Sequence, residues 1–195
     1  MSLEEEHVRD FTRSCVRAGL LSEQKLYDEV VLAVRTELPS STSLESLARA
    51  WIEEFRAELA VDEAGWPAAT DYDRVQSAFA ELSASDVVVL QGCDDHWAAK
   101  AVLDARALSG NVPRGIAWFT PSDVWHAIDE GMLEVNLWHG TTANVAPGDA
   151  LLDDVVAVFE RHGLPAHFDE GRIEVSAHWQ RRLTAQVRLV GLRRD

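Results

Sequence analysis

The spacing of apolar residues changes near residue 87, and that change restricts the chain to folds that combine helices with a sheet. Upstream, the strongest pattern is Leu44, Leu47, Trp51, Phe55 and Leu59, with Ala48 and Ile52 beside them. Glu45, Arg49, Glu53, Arg56 and Glu58 take the opposite face, so the segment reads as an amphipathic helix with one buried stripe. Downstream, Val87-Val88-Val89-Leu90 is a short run of mostly β-branched residues, which reads as a buried strand.

Two helices precede the long one. Val8, Phe11 and Cys15 recur at helical spacing, and Gly19 fits a helix stop. Ser22 suits the N-cap of the second helix, whose face is Leu26, Val30 and Val34 with Tyr27 and Val31 alongside. Pro39 to Ser43 is a polar connector, and Thr42 with Glu45 has capping-box spacing. A fourth helix, capped by Thr70 or Asp71 with Asp73 near its positive end, carries Val75, Phe79 and Leu82.

After the first strand, Asp94 or Asp95 starts a helix with Ala98, Ala101, Val102, Ala105 and Leu108, which Gly110-Asn111 ends. Arg114 to Phe119 reads as a second strand. Thr120 as cap, Pro121 at the first helical position and Asp123 at N3 then define a short helix that Gly131 closes. Met132 to Trp138 is a third strand, with Leu133, Val135 and Leu137 on one face and Glu134 and Asn136 on the other. Pro147 opens a helix bearing Leu151, Leu152, Val155, Val156 and Phe159, and Gly163 stops it. Ala166 to Phe168 and Arg172 to Ala177 flank Asp169-Glu170-Gly171 as a hairpin, and Gln186 to Val190 reads as a further edge strand.

These elements predict an α+β chain. A helical N-terminal region covers 1–62, and an α+β domain covers 63–195. The latter is expected as a two-layer, mainly antiparallel, ferredoxin-like sheet with helices on one face. A doubly wound parallel sheet is the competing arrangement, because helices separate most strands. The short connection before Met132 and the final hairpin favour the antiparallel form.

Charge narrows the partners. Of the 195 residues, 33 are Asp or Glu and 18 are Lys or Arg, a formal charge of −15. Such a field repels nucleic-acid phosphates, so no nucleic acid is expected as a partner. The one basic stretch, with Arg181, Arg182, Arg188, Arg193 and Arg194, reads as cover for an edge strand paired to the acidic body. No apolar run approaches the ~20 residues that span a bilayer, so no membrane partner is expected. The acidic start is unlike a secretory signal, and two cysteines, Cys15 and Cys93, make no disulfide framework or four-ligand zinc site. The cytoplasm is the expected location.

Trp66-Pro67 leads into Thr70-Asp71-Tyr72-Asp73-Arg74, followed by Ala78-Phe79, Leu82 and the strand from Val87. Arg114 to Phe119, Asp123, Ala127, Leu133 to Trp138 and Gly140 come next. Gly163-Leu164, Arg172 to Val175 and Trp179-Gln180-Arg181-Arg182 complete the set. In order and spacing these motifs, over about residues 66–183, resemble a bacterial family, domain of unknown function 6891. The resemblance implies boundaries for the fold and carries no activity. Where similar proteins often have His-Gln-Gln-Asp, this chain has Thr120-Pro121-Ser122-Asp123. Where some have clustered cysteines, it has Cys93 alone.

Two acid–imidazole groups stand at predicted helix starts. Asp94-Asp95-His96 follows a strand end, where α/β sheets present ligands. Asp123 and His126 lie three apart, on one side of a short helix. Together Asp94, His96, Asp123 and His126 suggest a mixed carboxylate–imidazole metal set. Helix capping accounts for the same acids without a ligand. Asp71 and Asp73 diverge on a helix, which disfavours an acid–base pair. Cys93 is the best-placed thiol, near a helix start that would lower its pKa, with a buried inert cysteine as the alternative. No GxSxG, Walker A or GxGxxG pattern is present, so no cofactor is expected.

Seven tryptophans are a high count. Trp51 and one of Trp118 or Trp138 are expected in the core, while Trp97, Trp125 and Trp138 fall near strand ends and suit a recognition surface. A groove between the helical region and the sheet domain is another place for a ligand. The residues favour a non-catalytic module that binds a protein or small molecule through Asp94, Asp95, His96, Asp123, His126, Trp125 and Trp138. The alternatives are a metal-assisted hydrolase built on the Asp/His cluster, or a homodimer formed through the first three helices.

Overall fold

The computed structural model describes residues 2–39 and 43–183. Thr42, Arg188, Arg193, Arg194 and the proposed strand from Gln186 to Val190 lie outside them. The chain divides into two compact units. One comprises residues up to Pro67 with the segment that begins at Arg181, and the other is Ala68–Gln180.

The first unit is built on α1 (Leu3–Ala18), α2 (Glu23–Glu37) and α3 (Leu44–Gly65), each packed against the other two. Their facing stripes, including Val8, Val16, Val30, Val34, Trp51, Phe55 and Leu59, are buried. Ser22 caps α2 by accepting a hydrogen bond from Lys25 N at 3.3 Å, and Ser43 precedes α3. Gly19 ends α1 at φ +62°, a conformation that a side chain resists. Arg9, Arg13 and Arg17 on α1 pair with Glu54, Glu58 and Asp62 on α3. The common four-residue step shows that the two helices run parallel. The segment at Arg181 returns to these helices: Arg181 donates to Gly19 O at 2.5 Å, and Leu183 N donates to Glu63 Oε1 at 2.7 Å.

The second unit runs α4 (Asp71–Ala84), β1 (Val87–Gln91), α5 (His96–Leu108), β2 (Gly115–Phe119), α6 (Pro121–Asp129), β3 (Met132–His139), α7 (Ala150–Arg161), β4 (Ala166–Asp169) and β5 (Arg172–Ser176). The sheet order is β1-β2-β3-β5-β4. β1 and β2 are parallel and the remaining pairs antiparallel. The fold is therefore α+β with a mixed, mainly antiparallel sheet.

Four details differ from the sequence reading. In a ferredoxin-like sheet the βαβ unit is split by another strand. Here β1 and β2 are direct neighbours joined through α5, so the order is not ferredoxin-like. Helices also occupy both faces. Ile116 and Trp118 point to Ala99 and Leu103 of α5, while Phe119 stacks on Phe79 of α4, which meets Phe159 of α7. Neighbouring residues on a strand face opposite ways, so α5 lies across the sheet from α4 and α7. Thirdly, β1 is an edge strand in which only Val87 is buried, because a short apolar run marks a strand without fixing its place in the sheet. Finally, α7 begins at Ala150 rather than at Pro147, after a turn in which Asp149 accepts from Ala146 N at 2.8 Å.

Coverage of the two sheet faces is unequal. Leu133, Val135, Leu137, Ile173 and Val175 fill the α4/α7 side. On the other side α5 covers β2, while β3 and β5 present Glu134 paired with Arg172, and Asn136 and Trp138 stay half-buried. Gly140 joins β3 to the loop before β2, where a Cβ would run into the Pro113 carbonyl oxygen.

Candidate functional site

Because β1 and β2 are parallel and adjacent, their carboxyl ends open on the same edge of the sheet. Cys93 N donates to Phe119 O at 3.1 Å and ties the loop after β1 to the end of β2. Both α5 and α6 start from that edge. Asp95 caps α5, its Oδ1 accepting from Ala98 N at 3.0 Å. On α6 the buried Asp123 carboxylate accepts from Thr120 N at 2.6 Å and from Thr120 Oγ1 at 2.8 Å. These bonds satisfy backbone donors that a helix start leaves without partners.

The predicted acids and imidazoles are not assembled into a ligand set. Asp94, Asp95, His96 and His126 are exposed, and Asp123 is turned inward to its own cap. Among the described residues no three His, Cys, Asp or Glu side chains come together to hold a metal ion. The set Asp94, His96, Asp123 and His126 is therefore corrected: proximity in sequence to two helix starts did not bring the side chains to one point. The Cys93 thiol is also not activated. Burial pushes its pKa up, and Asp94, Asp95 and Asp123 add to the rise against a backbone hydrogen bond that lowers it.

Aromatic rings do come together beside the start of α5, on the face of the sheet that α5 covers. His96 lies 4.6 Å from Trp97 and 6.4 Å from Trp138 between ring centres. Trp138 meets Trp118 edge-to-face at 5.6 Å. Exposure falls along the row, from Trp97 at 63% to Trp118 at 6%, and the buried Trp118 Nε1 has no hydrogen-bond partner among the described residues. The local cause is α5 itself. It buries only Ala99 and Leu103, so His96 and Trp97 at its start stay exposed, and the half-buried Trp138 lies against His96. The result is an open ledge, with α5 as wall and β3 as floor. Of the residues named from sequence, His96 and Trp138 take part, Asp94 and Asp95 border it, and the half-buried Trp125 lies on α6. The sequence suggests Trp97 for a recognition surface without placing it in the site, and offers Trp118 and Trp138 as alternatives for the core; the structure buries Trp118 and leaves Trp138 half-buried. The alternation of Ile116 and Trp118 along β2 was the available signal for Trp118 facing α5.

Two shallow grooves lie elsewhere, in the helical unit. One, of about 390 Å³, runs between α2 and α3, and the other, of about 370 Å³, between α1 and α2. The polar groups of the first are already engaged. Arg56 pairs with Glu23 and Glu53, and Arg49 lies 4.4 Å over Tyr27. No helix among the described residues is long and apolar enough to cross a membrane.

Comparison with known proteins extends the sequence resemblance. A family model described as Domain of unknown function (DUF6891) matches residues 2–183, and so takes in the N-terminal helices as well as the region from Trp66. No curated protein and no solved structure matches the chain.

Proposed function

The chain belongs to the DUF6891 family, a domain of unknown function, and for this member we propose a binding role, with the ledge of His96, Trp97 and Trp138 as the recognition surface. The observation that carries this reading is Trp97, 63% exposed, with the His96 ring tilted against it at 4.6 Å between centres. A large indole left in water is common material for recognition, since its burial by a partner returns hydrophobic free energy. Binding is favoured over catalysis because two of the carboxylates near the ledge serve backbone donors, Asp95 holding Ala98 N and Asp123 holding Thr120 N, while Asp94 stands exposed with no group of metal or catalytic ligands beside it among the described residues.

The reading is tested on the full chain labelled with ¹⁵N and screened against a library of neutral aromatic and cationic fragments. Expected are shifts of the Trp97 and Trp138 indole N–H signals by a subset of fragments, with the Trp138 shift abolished in Trp97→Ala. A screen in which those signals never move, or in which only the α1–α2 and α2–α3 grooves respond, overturns it.

A further inference from the structure

We propose that the ledge receives the guanidinium of an arginine-bearing segment on a partner protein, an inference that rests on the binding role above. The helical unit shows how this chain itself holds guanidinium groups. Arg9 lies 5.6 Å from the centre of the Trp51 ring and 5.2 Å from that of Phe55, and Glu54 holds its edge. Arg13 lies 4.8 Å over Phe55 and pairs with Glu58. Each site combines an aromatic face with a carboxylate in reach of the fork of N–H groups.

The ledge offers the same two parts. Trp97 exposes its indole, and Asp94 and Asp95 precede it in the turn that starts α5, both exposed. Among the described residues no Arg or Lys lies over Trp97 or pairs with either acid. The next cation along α5, Lys100, is paired with Asp104 at 2.6 Å. Asp94 makes no hydrogen bond among the described residues, and Asp95 uses Oδ1 for its cap, leaving Oδ2 for a donor from outside. A helix start ordinarily attracts anions, but here two carboxylates already occupy it. The formal charge of −15 adds a long-range pull on a basic partner and repels an acidic one. Asp94, Asp95, His96 and Trp97 are consecutive exposed residues, a run that suits a segment rather than a free cation. Beyond Trp138 the floor continues over Asn136 to the Glu134–Arg172 pair, where a passing main chain finds polar groups.

The test titrates the full-length protein with a short peptide of alternating Gly and Arg, and with its Lys and Glu counterparts, at about 0.15 M salt to suppress diffuse attraction. Binding is read at the Trp97 indole signal in the parent, and at the Trp138 indole and the backbone amides of α5 in every variant. The Arg peptide is expected to bind more tightly than the Lys peptide, and the Glu peptide not at all. Trp97→Ala is expected to weaken the Arg peptide about tenfold, and Asp94→Asn with Asp95→Asn about fivefold. Asparagine at residue 95 keeps the cap, so this variant still folds. A charge-matched control, Glu37→Gln with Glu45→Gln, is expected to leave affinity unchanged. Equal weakening by that control, or an Arg peptide whose affinity ignores Trp97→Ala, overturns the proposal. If neutral aromatic fragments move the Trp97 signal and the Arg peptide does not, the arginine inference falls and the binding role stands. If neither moves it, both fall.

Discussion

Trp51 and Trp97 each sit on a helix with an apolar stripe, yet one is 4% exposed and the other 63%. The difference lies in what each helix has to pack on. α3 meets both α1 and α2, so a stripe from Ala48 to Leu59 is enclosed from two sides, and Arg9 closes over the Trp51 ring. α5 rests on β2, beside the edge strand β1, and that support is wide enough only for Ala99 and Leu103. The same indole becomes core in one setting and surface in the other, so residue type alone assigns neither role.

The largest effect expected from this contrast is in stability. Trp51→Ala removes a buried ring from between helices and is expected to cost about 3–5 kcal/mol. Trp97→Ala is expected to stay within about 0.5 kcal/mol of the parent, because water already covers most of the ring. Urea unfolding followed by circular dichroism measures both. Similar losses for the two would show that α5 is packed far more tightly than its exposure indicates.

A smaller difference separates two carboxylates at the sheet edge. Asp123 is buried and accepts two hydrogen bonds from Thr120, so Asp123→Ala is expected to cost about 1–2 kcal/mol. Asp94→Ala removes an exposed group with no hydrogen bond among the described residues and is expected to be neutral in stability. Were Asp94→Ala the costlier of the two, Asp94 would hold a structural partner, and its availability to an outside cation would be lost.

Capping chemistry was the most legible part of the sequence. Ser22, Thr70, Asp95 and Asp123 all do what their position before an apolar run implies, because a cap is satisfied within four residues. Strand existence was legible for the same local reason. Strand order was not: whether β1 is split from β2 or lies beside it depends on contacts between residues far apart in sequence, which no window of the chain contains. The site followed the same division. His96 and Trp138 were named from their places at helix and strand ends. That they form one row with Trp118 depends on α5 crossing β2, a tertiary fact. The metal set did not form because Asp123 is turned to its own helix cap and the exposed Asp94, His96 and His126 make no group of three ligands among the described residues.

Acid titration sharpens the comparison between the units through their ion pairs. In the helical unit the hydrogen bond from Arg9 holds the Glu54 pKa below its usual value. In the sheet unit Arg161, then His162, do the same for Glu81. A carboxylate whose folded pKa is depressed adds stability above its unfolded pKa and loses it as pH falls through the folded one. The Tm advantage of the parent over Glu54→Gln is therefore expected near pH 6 and should shrink once pH drops below about 4. Glu81→Gln should behave alike. An advantage that persists unchanged at low pH would mean that packing, rather than charge, is what the substitution removes.

The two cysteines give the finest contrast, in reactivity rather than stability. Cys15 lies in the helical bundle, where burial, with Glu29 adding to it, pushes its pKa up to about 12. Cys93 is half-buried at the sheet edge and is also raised, by burial first and by the surrounding aspartates next. Only thiolate attacks a disulfide reagent, so access and ionisation act in series. In the native protein at about pH 8, one thiol equivalent is expected to react, that of Cys93, more slowly than a free cysteine of pKa about 8.5. Cys15 should react only after denaturation. The rate at Cys93 should keep climbing above that pH instead of levelling off. A plateau near neutral pH would reveal a stabilised thiolate at the edge of the ledge, and the acids there would then have to be held away from the sulfur and from the cation proposed to bind them.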